Sequence, residues 1–358
     1  MEAYYNIHNI VRISVKTKRP EIIEEYDYYV RHFKVPEKAG DADIEIRDFE
    51  EFSLPDNSLN FSDILFGFEG GICNQRDSYA LQIRNNKMML YVKNNDICIN
   101  TLVEYFLLQS NCTFLHGAGI SYKNKGIIFP APPNTGKTLL VSKLRENKEV
   151  KFFGDDYLII KSDGTVYSYP MDFSIYDYHF NFFPELKNSP ERLKIKKAVF
   201  ERIFVNMVKD LPVRKVFKKI ARFLNYDFLK GGEYLKIPAS RLISKDTFGG
   251  TTELKYAIFL NRYNGSDFKV EKIAPENAAR EIIGILQSEW QATMPVYHAL
   301  SSFGIMDFAK HLNDIKNVAS LAFEKIILYR ALMPMGMDNE TRVEKLEEFL
   351  KKEIFSRI

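Results

Sequence analysis

Three groups of residues in this chain have the types and spacing to handle a phosphoryl group. Residues Ala131-Pro132-Pro133-Asn134-Thr135-Gly136-Lys137-Thr138 fit the pattern A/G-x-x-x-x-G-K-T. In such a loop backbone N–H groups cradle phosphates, the lysine reaches the terminal phosphates, and the threonine hydroxyl ligates magnesium. The pattern assigns Pro133, Asn134, Thr135, Gly136, Lys137, Thr138 and Leu139 to a nucleotide, with ATP and Mg2+ as the expected ligands. Ala131 stands where the first glycine is usual and two prolines follow it, so the loop is stiff and has few donor N–H groups at its start. The second group is Asp155-Asp156, between two hydrophobic runs. Behind a phosphate loop, one such carboxylate can hold the magnesium of the nucleotide and the other can take the proton of an attacking hydroxyl. Like charges this close also raise at least one of the two pKa values. The third is His116, on a short apolar run; taken alone, it reads as a core histidine. Arg241 and Arg262 stand near the ends of later strand-like runs, where either could reach a transferring phosphate, although a single loop arginine is ordinarily surface charge.

The elements that must position these residues are legible as patterns. Gly126 to Phe129 is an apolar run that enters the loop, and Leu139 to Leu144 repeats apolar residues at helical spacing, which makes strand, loop, helix. The positive end of that helix faces the same anion. Phe114 to Ile120 reads as a strand carrying His116, turned by Lys123-Asn124-Lys125-Gly126 into the loop strand. Earlier, Val11, Ile13 and Val15 alternate as a half-buried strand, and Pro20 to Phe33 is helical in pattern. Tyr79 to Ile83 and Met88 to Val92 form a hairpin about Asn85-Asn86, with a helix from Ile99 to Gln109. Asp163-Gly164 turns the chain into Val166 to Pro170. The aromatic run Met171 to Phe180 reads first as core and second as an acceptor pocket. Lys236 to Leu242 and Leu254 to Leu260 look like strands returning to the sheet, Glu276 to Thr293 like a helix behind Pro275, and the remainder to Ile358 is mostly helical in pattern.

Composition excludes several classes. With 358 residues, 46% hydrophobic and 27% charged, the chain has ample core and the profile of an ordinary globular protein. A net charge of +3 is too small to argue for nucleic acid. Residues 187 to 222 are different, with twelve Lys or Arg against three acids. An anionic peptide or protein partner ranks first for that stretch, a solvated helical face second, and a membrane surface or nucleic acid below both. Cys73, Cys98 and Cys112 lack metal-like spacing and read as reduced thiols of a cytoplasmic protein. Met1 to Ile10 carry no signal-peptide pattern, and no run approaches the roughly 20 apolar residues of a bilayer span.

Taken in order, the His116 strand, the Gly136-Lys137-Thr138 loop and Asp155-Asp156 resemble the catalytic domain of the HPr kinase/phosphorylase family. That fold is related to phosphoenolpyruvate carboxykinase. The similarity covers residues 110 to 160 specifically and 110 to 300 loosely, and is nearest to divergent HPr kinase-like proteins found beside peptide-modification genes, some of which phosphorylate a serine hydroxyl of a small peptide. It implies an α/β, P-loop domain with a mixed sheet, preceded by a small α+β domain. The expected divisions are 1–110, 111–300 with a basic helical insertion at about 187–232, and a helical segment at 301–358. It further implies that Lys137 and the loop amides hold phosphates, that Thr138 helps hold magnesium, and that Asp155 and Asp156 divide base and metal duty with His116 close by. Asp155 is set with the catalytic group and Asp156 with the metal, the pair's division staying open. The glycine-rich signature that follows the Asp pair in true HPr kinases has no convincing match, which puts HPr itself, and phosphorolysis, in doubt. The function expected is an ATP-dependent kinase acting on a hydroxyl of a Ser or Thr in a peptide or protein, or of a small metabolite. The alternatives are a nucleotide-binding partner module without transfer and a simple ATPase. A homo-oligomer is compatible with the sequence.

Overall fold

A computed structural model describes residues 1–38, 40–62, 64–93, 99–133, 135–186 and 234–358. Asn134, Cys98 and the basic stretch 187–232 therefore lie outside the described residues. Met1–Met171 together with Asp246–Ile358 form one compact unit, and Asp172–Lys245 form a second.

The first unit is mixed α/β. Its N-terminal sheet has nine strands in the spatial order Lys34–Val35, Glu2–Ile7, Val11–Lys16, Ile44–Asp48, Lys87–Val92, Tyr79–Arg84, Gly71–Asn74, Leu65–Phe68, Leu59–Ser62. Alternation sets which face is buried: Tyr5, Ile7, Val11, Ile13 and Val15 all turn into the core. The expected hairpin is present, and Asn85 and Asn86 take φ of 49° and 58°, the left-handed pair that a two-residue turn requires.

The second sheet, of eight strands, runs Lys125–Pro130, Cys112–Tyr122, Tyr157–Lys161, Thr165–Tyr167, Thr251–Tyr263, Ile327–Pro334, Lys269–Lys272, with Val150–Gly154 also paired to Cys112–Tyr122. Lys125–Pro130 pairs in addition with Thr251–Tyr263, so the pairings close a circuit. Most pairs are antiparallel. Lys125–Pro130, Thr251–Tyr263 and Ile327–Pro334 are mutually parallel, and their carboxyl ends share one edge. At that edge Lys125–Pro130 runs into the loop that precedes helix Lys137–Leu144. Helices Pro275–Glu289 and Phe308–Phe323 pack on each other and on Cys112–Tyr122. Helix Ile99–Gln109 touches strands of both sheets, and the boundary expected near residue 110 falls within this first unit.

Two sequence expectations are corrected. Lys236–Leu242 is not a strand of the large sheet: among the described residues Tyr234–Ile237 pairs with Phe173–Tyr176 in the second unit, and Ala239–Leu242 is a short helix. Pro238 stands between them, with no N–H to extend the ladder. The C-terminal segment, mostly helical as read, also contains a strand, Ile327–Pro334, buried at five of its eight positions. In the second unit Phe173, Ile175, Phe180 and Phe183 are buried. Cys73 and Cys112 are free and buried. Among the described residues no helix is long and apolar enough to cross a membrane.

Candidate phosphate and carboxylate site

Strand Cys112–Tyr122 lies between the loop strand and the strand that follows the aspartates. Gly117 stands opposite Pro130 on one side and His116 opposite Tyr157 on the other. The backbone ties all three groups together: Ala131 N–H donates to His116 O at 3.3 Å, and Gly117 N–H donates to Asp156 O at 3.0 Å. His116 is therefore one residue from both the loop and the acid pair.

The loop leads into helix Lys137–Leu144 through Gly136, whose φ of 98° is open to glycine and strained for other residues. The first intrahelical bond is Leu140 N–H to Gly136 O at 3.0 Å, so the amides before it are the unpaired donors of a helix start. Thr135 is buried with its hydroxyl on Pro132 O at 2.9 Å, Pro133 is exposed, and the Leu139 side chain is in the core. Leu139 can thus offer only its N–H to a ligand.

Lys137 is buried, with Nζ 3.3 Å from His116 Nε2, 3.3 Å from Ala131 O and 3.9 Å from Asp156 Oδ1. Ala131 O can only accept, so the bond of His116 Nδ1 to it at 2.9 Å requires the proton on Nδ1. Nε2 is then an acceptor for Lys137. Burial first, and Lys137 second, hold the His116 pKa well below its ordinary value, so the ring is neutral.

Gly154 ends strand Val150–Gly154 just before the acids; a Cβ there would stand 2.3 Å from Tyr157 O. Asp155 is buried and accepts from Thr138 Oγ1 at 2.6 Å, while its Oδ1 is buried with no hydrogen-bond partner. Burial, then the charge of Asp156, push its pKa up to about 7 against the opposing pull of Thr138 and Lys137. Asp156 is half-buried, with Oδ1 3.9 Å from His116 Nε2.

A residue not singled out from the sequence joins this group. Glu289, the last residue of helix Pro275–Glu289, has Oε2 3.6 Å from His116 Nε2 and a buried, unpartnered Oε1. Burial raises its pKa first, with Lys137 lowering and Asp156 raising it. One signal was available: Ile282, Ile285 and Leu286 are buried, and Glu289 continues that stripe at helical spacing, an acid on an apolar face.

His116, Lys137, Thr138, Asp155 and Asp156 are thus brought together. Arg262 is exposed at the carboxyl end of its strand, on the same sheet edge as the loop, and donates to Met335 O at 2.8 Å. Arg241 belongs to the second unit, on helix Ala239–Leu242. Among the described residues no three His, Cys, Asp or Glu are grouped to hold a metal ion. Magnesium on a nucleotide does not need such a group, since one or two protein ligands suffice beside phosphates and water. The unpartnered Asp155 Oδ1 beside the Thr138 hydroxyl suits such a hard cation.

No protein-family model matches the chain, and no curated protein matches it.

Proposed function

We propose that this chain is a phosphotransferase that uses MgATP to phosphorylate a hydroxyl, on a serine or threonine of a peptide or protein or on a small metabolite. We further infer a P-loop fold of the HPr kinase/phosphoenolpyruvate carboxykinase kind for the second sheet, from the order and pairing of the three motifs. The observation that carries the function is a double contact at one sheet edge: Thr138 with Asp155, and Lys137 beside His116 and Asp156.

Roles follow from these environments, reversing the division of the acids set out above. Thr138 and Asp155 would hold magnesium, because the hydroxyl already bonds one oxygen of the carboxylate and the other oxygen is unpartnered among the described residues. Bound there, the ion supplies Lewis-acid neutralisation of phosphate charge. Lys137 and the first-turn amides of its helix offset the remaining charge. Asp156, half-buried and free of Thr138, receives the acceptor proton. His116 donates from Nδ1 to Ala131 O, which keeps Nε2 facing Lys137 and both nearby acids, Asp156 and Glu289.

Labelled ATP with candidate hydroxyl acceptors tests this. Lys137→Ala should lose nucleotide binding, and Asp156→Asn should lower transfer by about 100- to 10,000-fold while still binding nucleotide. Full activity in both variants would remove the site. Bound nucleotide without labelled product from any acceptor would instead make the chain a nucleotide-binding module.

A further inference from the structure

Among the described residues, those assigned above leave one buried cation unused. Helix Asn339–Phe349 starts just beyond strand Ile327–Pro334, and so at the sheet edge that carries the loop. Its first turn is capped by Asp338, which accepts from Thr341 N–H at 2.9 Å and Thr341 Oγ1 at 2.7 Å. Arg342 follows, 3% exposed. Its Cδ and Nη1 lie 3.7 and 4.0 Å from where a Cβ on Gly136 would stand.

The guanidinium donates through Nη1 to Asn339 Oδ1 at 3.0 Å and through Nη2 to Met337 O at 2.7 Å. Its Nε–H is buried and has no acceptor among the described residues. Among the described residues no carboxylate hydrogen-bonds to it. Burial is the main force lowering its pKa, the charge of Arg262 adds to that, and Asp338 partly offsets both. Pinning the turn at Met337–Asn339 accounts for Nη1 and Nη2, but leaves Nε–H unused and the charge offset only in part, by Asp338. A buried arginine with no bonded carboxylate is costly unless an anion completes it, and its planar fork matches phosphate oxygens.

We propose that Arg342 is a phosphate-contacting residue of this site, a guanidinium carried by the C-terminal helix to the anion that the loop amides hold. This rests on the nucleotide reading above. It would give the loop, short of N–H donors at its proline-rich start, a cationic contact at Gly136 in addition to Lys137.

Isothermal titration of the full chain with MgADP and with inorganic pyrophosphate tests it, alongside Arg342→Met, Arg342→Lys and the ligand-free thermal melt of each. A charge-assisted hydrogen bond of ordinary strength predicts that Arg342→Met weakens both ligands by about 30-fold, and Arg342→Lys by about 5-fold, since lysine keeps the charge without the fork. If Arg342→Met melts cooperatively and binds both ligands as the wild type does, the proposal is overturned. If that variant fails to melt cooperatively, Arg342→Lys decides, and wild-type affinity there overturns it equally. Weaker ADP binding with unchanged pyrophosphate binding overturns the phosphate contact and moves the guanidinium to the nucleoside. Wild-type protein that binds neither ligand removes the nucleotide reading itself, which is a different result from a silent Arg342 variant.

Discussion

Thr138 has two tasks that one substitution can separate. Its hydroxyl donates to Asp155 Oδ2, and the other oxygen of that buried carboxylate already lacks a partner. Thr138→Val keeps the shape and removes the donor, so the ligand-free protein should lose about 1–3 kcal/mol in chemical denaturation, the cost of an unsatisfied buried acceptor. Thr138→Ser should recover most of that. Equal stability of all three would mean that Asp155 is not held by this hydroxyl. The motif Gly136-Lys137-Thr138 was legible because each residue type has a local reason to be there. Glu289 left only the weak trace of an acid continuing an apolar stripe, and Arg342 left none, because an arginine inside a helix has no local signature until the facing element is known.

Helix Ile99–Gln109 shows how an element is anchored beneath the site. Glu104 is fully buried on it and accepts from Thr113 Oγ1 at 2.5 Å and Phe114 N–H at 2.8 Å, two residues short of His116 on the neighbouring strand. Burial outweighs those two bonds and raises the Glu104 pKa from 4.5 to about 7. A carboxyl whose folded pKa is raised binds more protons folded than unfolded between those values, so it lowers stability as pH rises through that window. The loss begins near pH 4.5, is complete above about pH 7, and amounts to about 3 kcal/mol by linkage. Glu104→Gln, which can still pair with Thr113 and Phe114, should remove it. The stability of the variant relative to wild type should grow from pH 5 to pH 8 in urea titrations, and a difference that stays flat with pH would show that Glu104 ionises normally. The helix itself was legible from its apolar period. The strand Ile327–Pro334 was missed because Leu328, Arg330, Ala331, Leu332 and Met333 are all good helix formers, and pairing with Thr251–Tyr263 and Lys269–Lys272 overrides that preference.

At the scale of the molecule, the first unit is built from two separate stretches of chain, and the second is inserted where they come close. Ser168 N–H donates to Gly250 O, and Tyr169 and Gly249 N–H donate to Phe153 O and Phe152 O, each at 2.8 Å. The chain thus leaves and re-enters the first unit at neighbouring positions. Replacing residues 172–245 by a Gly/Ser linker of about eight residues, long enough to span that gap, should leave a first unit that melts cooperatively and binds MgADP like the full chain. A non-cooperative melt would show that the first unit depends on the inserted one. The sequence by itself determined the loop, the hairpin turns at Asn85-Asn86 and Lys123-Asn124, and the main helices and strands. These depend on backbone conformation and periodicity within a few residues. Only the tertiary structure decided that His116 stands between Ala131 and Asp156, and that Glu289 and Arg342 close on the same edge. Strand order and helix docking are chosen by pairing and burial between distant segments, and no stretch of sequence encodes that choice alone.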